Sequence, residues 1–110
     1  YPARWTHSVE PLDLVSSAPW TFERAEPELY PALALARQAL EMGGTAPAIL
    51  NAVDEIAVAA FLEGRLTFVR IIPFVAEVLE GCNITDADDI ETILEADAIA
   101  RSAAKRHLCE

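Results

Sequence analysis

Three polar side chains interrupt an otherwise oily run: Asn51, Asp54 and Glu55, spaced i, i+3 and i+4, fall on one face of any helix that carries them. Carboxylates placed this way can hold a divalent cation or act as general acid and base. The plainer reading, preferred here, is that they bond a neighbouring loop or the end of another helix, because buried polar groups must find partners. The acidic run Asp86, Asp88, Asp89 and Glu91 invites a calcium loop, but Ile90 and Glu91 stand where that loop needs Asp or Asn and then Gly. A solvated face that complements a helix dipole is the better account.

His7 and His107 are a whole domain apart, and neither has the Ser or Cys context of a nucleophilic site. His107 and Cys109 would join a zinc site only if distant ligands converged, so a frayed terminus is expected there. Gly43-Gly44 belongs to no phosphate-cradling pattern, since neither G-x-G-x-x-G nor G-x-x-x-x-G-K-[ST] occurs. Cys82 and Cys109 are too few and too far apart for a disulfide framework or a Cys-x-x-Cys site, which points weakly to a reducing compartment. No catalytic, cofactor-binding or metal-binding residue is therefore assigned.

The elements that would position these groups are helical. Leu29, Leu33, Ala36 and Leu40 recur at helical spacing, Pro31 suits a first turn, and Gly43-Gly44 ends the run. Thr45 is the expected N-cap of a second helix, which has Pro47 in its first turn and closes at Gly64. Of the 17 residues from Ala46 to Leu62, 13 are Ala, Val, Ile, Leu or Phe, so this helix belongs in the middle of a bundle. A third helix puts Phe68, Ile71, Ile72, Val75, Val78 and Leu79 on one side, with Pro73 near its start, and stops at Gly81. A fourth, capped by Thr85 or Asp86, packs Ile90, Ile93, Leu94 and Ile99 inward and ends near Lys105 and Arg106. The fold class is all-α: an antiparallel four-helix bundle over residues 29–110.

The first 28 residues read differently. Pro2, Pro11, Pro19 and Pro27 recur at short intervals, so 1–28 is expected to be an extended linker. Its Val9, Leu12, Leu14, Trp20 and Phe22 are anchors that would lie against a surface. The chain does not begin with Met and reads as a piece of something longer.

With 110 residues, 53% of them apolar, the chain is long enough for one domain with its own core. Eight basic against eighteen acidic residues give a net charge of −10, which argues against nucleic acid or an anionic membrane as partner. The longest uncharged stretch, Met42 to Val53, has 12 residues, and a bilayer span needs about 20 apolar ones.

The run Gly43-Gly44-Thr45-Ala46-Pro47-Ala48-Ile49-Leu50-Asn51-Ala52-Val53-Asp54-Glu55 and its continuation to Phe61-Leu62 closely resembles the GGTAPAxLNAANExAVxAFL signature of 1-deoxy-D-xylulose-5-phosphate reductoisomerases. Tyr1-Pro2-Ala3-Arg4 is similar to that family's YPxR, Pro11-Leu12-Asp13-Leu14 to its PLDL, Leu66-Thr67-Phe68 to the segment before its third helix, and Asp97-Ala98-Ile99-Ala100-Arg101 to its DAxAR stretch. Departures are Val53 and Asp54 for the usual Ala and Asn, Arg70 for Asp, and Ala25 for a Pro after Phe22.

The resemblance implies an enzyme of non-mevalonate isoprenoid biosynthesis. It rearranges its substrate and reduces it with NADPH to 2-C-methyl-D-erythritol 4-phosphate, using Mg²⁺ or Mn²⁺, in the bacterial cytoplasm or a plastid-type organelle. It also implies a homodimeric parent of several times this length, in which the present residues match only the C-terminal linker and helical bundle. The implied partner is the catalytic domain of the same enzyme, and the implied role is support without catalysis. The competing readings are a free-standing helical interaction module using Trp20 and Phe22, and an independent metal enzyme using Asp54 and Glu55.

Overall fold

Glycine and proline set the helix ends in the computed structural model, which describes residues 9–17 and 19–109. Four α-helices follow in order: α1 Ala32–Met42, α2 Ala46–Leu62, α3 Ile71–Glu80 and α4 Ile90–His107, with a single 3-10 turn, Phe68–Arg70, before α3. The described residues include no strand, so the architecture is all-helical. The Tyr1–Arg4 motif and His7 lie outside the described residues.

α1 stops where Gly43 takes φ +69°, and its N–H donates to the Ala39 carbonyl. α2 stops before Gly64 at φ +73°. Pro47 and Pro73 fall at the second and third positions of α2 and α3, where no intrahelical N–H is yet needed. α1 itself begins at Ala32, three residues after its periodicity starts: Pro31 serves as the residue before the helix, and Leu29 and Tyr30 form a turn on the Glu26 carbonyl.

α2 is the central helix and touches α1, α3 and α4. Ala46, Ile49, Ala52, Val53, Ala57 and Ala60 are buried along it, Val53 at 0% exposure. α3 buries Ile71, Val75, Val78 and Leu79 as its spacing predicts, but also Phe74, which that spacing did not select, while Ile72 is only half-buried. The other two helices turn different faces inward from those expected. α1 buries Ala39 and half-buries Leu35, while Leu33, Ala36 and Leu40 face out. α4 buries Ala100 and Ala104, whereas Ile90, Leu94 and Ile99 are exposed, and of the predicted set only Ile93 is half-buried. Small side chains let a helix approach the alanine-rich α2 closely, and dense packing rewards that approach over the bulk of any one leucine. Phe68 likewise lies outside α3, in the exposed 3-10 turn.

Two caps also differ. Thr45 makes no side-chain cap to α2. Its N–H donates to the Thr85 carbonyl at 2.9 Å, and its hydroxyl accepts from the Thr85 N–H at 3.1 Å. The start of α2 is thereby clasped to the loop that leads into α4. The cap of α4 is Asp89, not Thr85 or Asp86: its carboxylate accepts from the Thr92 N–H at 2.7 Å.

Hydrogen bonding by Thr92, its side chain first and its backbone N–H second, holds the Asp89 carboxyl below the usual carboxylate range. A lowered folded-state value means that the stabilisation is present above the unfolded value of about 3.9 and fades as pH falls through the folded one. Asp89→Ala is expected to lower the Tm by a few degrees at pH 7, and by less at a pH acidic enough to protonate Asp89 in the folded chain. Asp89→Asn, which caps without titrating, should keep most of the stability at both pH values in thermal melts.

Candidate functional site

Asn51, Asp54 and Glu55 share α2 but not a destination. The Asn51 amide donates to Glu55 Oε1 at 2.9 Å, and Glu55 Oε2 pairs with Arg101 Nη1 of α4 at 2.9 Å. Arg101 also grips Asp97, with Nε donating to Oδ2 at 2.7 Å and Nη2 to Oδ1 at 3.0 Å. Asp54 is half-buried and lines a groove together with Asn51, Ala32, Leu50 and Ile72. The three positions lie within about 100° of arc, so α2 presents one polar face whose members meet different neighbours.

The electrostatics of the network suit a tie better than a reaction. Arg101 and then Asn51 hold the Glu55 carboxyl below its ordinary range, and the two carboxylates push the Arg101 guanidinium higher still. A carboxylate held ionised by an arginine is a poor proton donor near neutral pH. Glu55 is exposed and Arg101 and Asp97 remain partly open to water, so the network contributes modestly to stability and mainly fixes how α4 lies along α2.

His107 is not frayed. It is the last residue of α4, its Nε2 lies 3.2 Å from Glu77 Oε2, and its ring centroid is 5.4 Å from that of Phe74. Glu77 also accepts from Arg70 Nη2 at 3.2 Å. His107 first and Arg70 after it keep the Glu77 carboxyl below its usual range. Cys109 is exposed and its Sγ contacts the Lys105 carbonyl, while burial pushes the Cys82 thiol up, away from the reactive thiolate. Among the described residues, no group of three or more His, Cys, Asp or Glu side chains could hold a metal ion. Asp86, Asp88 and Glu91 are exposed around the Asp89 cap.

Gly44 completes the picture. At φ +51° it sits so close to the Thr85 carbonyl that a Cβ would run into it. A carbonyl oxygen facing the Gly43-Gly44 turn repels phosphate, so the glycines serve the clasp and not an anion. Two of these ties were partly legible. Asp97 and Arg101 stand at the i, i+4 spacing of a helical ion pair, and Thr45 and Thr85 are of cap-forming type. Nothing local announces the Glu77 to His107 contact, which spans 30 residues.

Comparison with known proteins places these features in a family context. The family described as DXP reductoisomerase C-terminal domain matches residues 1–103. The 1-deoxy-D-xylulose 5-phosphate reductoisomerase of Symbiobacterium thermophilum is 46% identical over 105 residues, covering 96% of this chain and 27% of the relative. That of Thermodesulfovibrio yellowstonii is 42% identical over 110 residues, covering 100% of this chain and 29% of its own length. A solved structure of the reductoisomerase from Zymomonas mobilis in complex with NADPH superposes with a TM-score of 0.84 at 33% identity, covering 98% of this chain and 29% of that one. The chain thus spans little more than a quarter of the length of the relatives it matches. No helix among the described residues is long and apolar enough to cross a membrane.

Proposed function

Because the chain belongs to the DXP reductoisomerase C-terminal domain family, we propose that it is the C-terminal helical part of a 1-deoxy-D-xylulose-5-phosphate reductoisomerase and braces the portion of that enzyme that performs the chemistry. The parent isomerises its sugar phosphate and reduces it with NADPH to 2-C-methyl-D-erythritol 4-phosphate, with Mg²⁺ or Mn²⁺ as the divalent ion, in non-mevalonate isoprenoid biosynthesis. The observation that carries this reading is the match over residues 1–103 to a domain that makes up less than a third of its relatives. A free-standing interaction module fits that proportion poorly.

Among the described residues, the tied polar groups do not fit a cofactor. Glu55 and Asp97 are bound to Arg101, Glu77 to Arg70 and His107, and Asp89 to a helix N-terminus. The Gly43-Gly44 turn faces a carbonyl. On this reading NADPH and the divalent ion belong to the preceding portion of the parent, and no step of the reaction is routed through this domain. Its contribution is geometric: displacing a reacting group by about 1 Å can cost about a hundredfold in rate, so a rigid support remote from the chemistry can govern turnover.

Within that reading, residues 29–110 form an antiparallel four-helix bundle and 1–28 an extended linker that docks on the catalytic domain. The exposed Trp20 and Phe22, the latter 88% accessible, support the linker assignment, because large aromatic side chains left in water ask for a partner surface. The parent is a homodimer of the bacterial cytoplasm or a plastid-type organelle. The direct test is NADPH oxidation by the purified 110-residue chain supplied with 1-deoxy-D-xylulose 5-phosphate and Mg²⁺ or Mn²⁺. No turnover above the protein-free rate is expected; measurable turnover would place the chemistry here and overturn the supporting role.

A further inference from the structure

Phe68 and Val69 are 72% and 77% exposed in the turn that precedes α3. The Phe68 ring meets Phe61 of α2 edge-on at 5.8 Å between centroids, which fixes its direction without covering it. With Leu29, Pro31, Ile72 and Pro73, these two side chains wall a groove of about 510 Å³. Among the described residues that line it, Glu28 alone is charged. An apolar concavity centred on an aromatic anchor is the usual core of a domain interface.

The length and direction of the missing chain say what covers it. The relatives are more than three times longer than the residues they share with this chain, and the shared part matches a C-terminal domain, so the bulk of such a relative lies on the N-terminal side of the shared part. One wall of the groove, Glu28 to Pro31, is the end of the non-helical segment that leads back toward that portion. The polypeptide arriving from the catalytic portion therefore runs along the rim of the groove. We propose that the Phe68–Val69 groove is the docking face for an apolar ridge of the catalytic portion of the parent. This rests on the supporting role proposed above and names the face through which it acts. Contacts between domains of one chain bury about 600–1,500 Å², and a Phe-Val-Leu patch of this kind would sit at the centre of such an area.

The test uses the full-length parent with a single cysteine introduced either at Val69 or at the exposed α4 position Ser102, labelled with a water-soluble maleimide and read by peptide mass spectrometry. Val69→Cys is expected to react at least tenfold more slowly than Ser102→Cys, and Phe68→Asp in the parent to lower kcat/KM at least tenfold. Equal labelling rates would overturn the docking face while leaving the supporting role to stand or fall on removal of the whole bundle. Protection of Val69→Cys that disappears on dilution of the enzyme would show a second copy on the groove and would also overturn it.

Discussion

Phe74→Ala is expected to destabilise the 110-residue chain by about 3–5 kcal/mol, as removal of a buried aromatic ring does when the surrounding core cannot collapse into the gap. The ring is 3% exposed, lies among Val75, Val78 and the α2 core, and abuts the His107 ring at the end of α4. Its loss opens a cavity where α2, α3 and α4 meet and removes the surface on which the His107 and Glu77 contact rests. A chain of this size commonly has about 5–15 kcal/mol of total stability, so the variant should melt more than about 10 °C lower or fail to fold at 37 °C. Phe68→Ala makes the internal comparison: the same substitution at a 72% exposed position should stay within about 0.5 kcal/mol of the unsubstituted chain. Urea unfolding followed by circular dichroism checks both. Near-equal losses in the two variants would contradict the assignment of inside and outside on α3 and the turn before it.

Gly44→Ala should cost about 2–4 kcal/mol, and Gly64→Ala only about 1–2. Both glycines sit at positive φ, +51° and +73°, where a Cβ is strained by its own backbone. They differ in what lies beyond. Nothing approaches a Cβ at Gly64, whereas one at Gly44 meets the Thr85 carbonyl, which is backbone and cannot swing aside. To make room, the loop before α4 must retreat, and the Thr45 to Thr85 pair of hydrogen bonds goes with it. Thr45 is fully buried, so its hydroxyl would be left without a partner, which adds to the loss. Equal destabilisation of the two variants in chemical denaturation would show that φ alone, not the clasp, demands glycine at position 44.

Element identity was legible in the sequence, and orientation was not. Glycine and proline act through backbone geometry, which is local, so Gly43-Gly44, Gly64, Pro47 and Pro73 mark the helices wherever the chain folds. α3 was mostly readable, because its large apolar residues fall on one side, although its spacing was read with Phe68, which lies in the turn before it, and without Phe74, which is buried. α1 and α4 mix alanine and leucine on several faces, and ranking faces by side-chain size selected Leu33, Leu40, Leu94 and Ile99. The core instead takes Ala39, Ala100 and Ala104. What decides is the partner: α2 is itself lined with alanine, and closeness of approach is a property of two surfaces that one helix's spacing cannot reveal. Many leucines left outside belong to a domain whose relatives carry much more chain. Thr45 shows the same limit at a cap, since a threonine before a helix reads as an N-cap until a loop 40 residues away offers a better-placed donor. The polar trio of α2 was read as structural. Asn51 and Glu55 are tied to each other and to Arg101 in the body of α4, not to a loop or a helix end, and Asp54 lines a groove beside Asn51.

The supporting role is tested most directly by removing the counterpart of residues 29–110 from the full-length parent and measuring kcat/KM for 1-deoxy-D-xylulose 5-phosphate beside the NADPH dissociation constant. NADPH binding should persist, reporting that the cofactor-binding portion remains folded, while kcat/KM falls on the order of a hundredfold as the reacting groups lose their register. A truncated enzyme that turns over the sugar phosphate at the parent rate would contradict it.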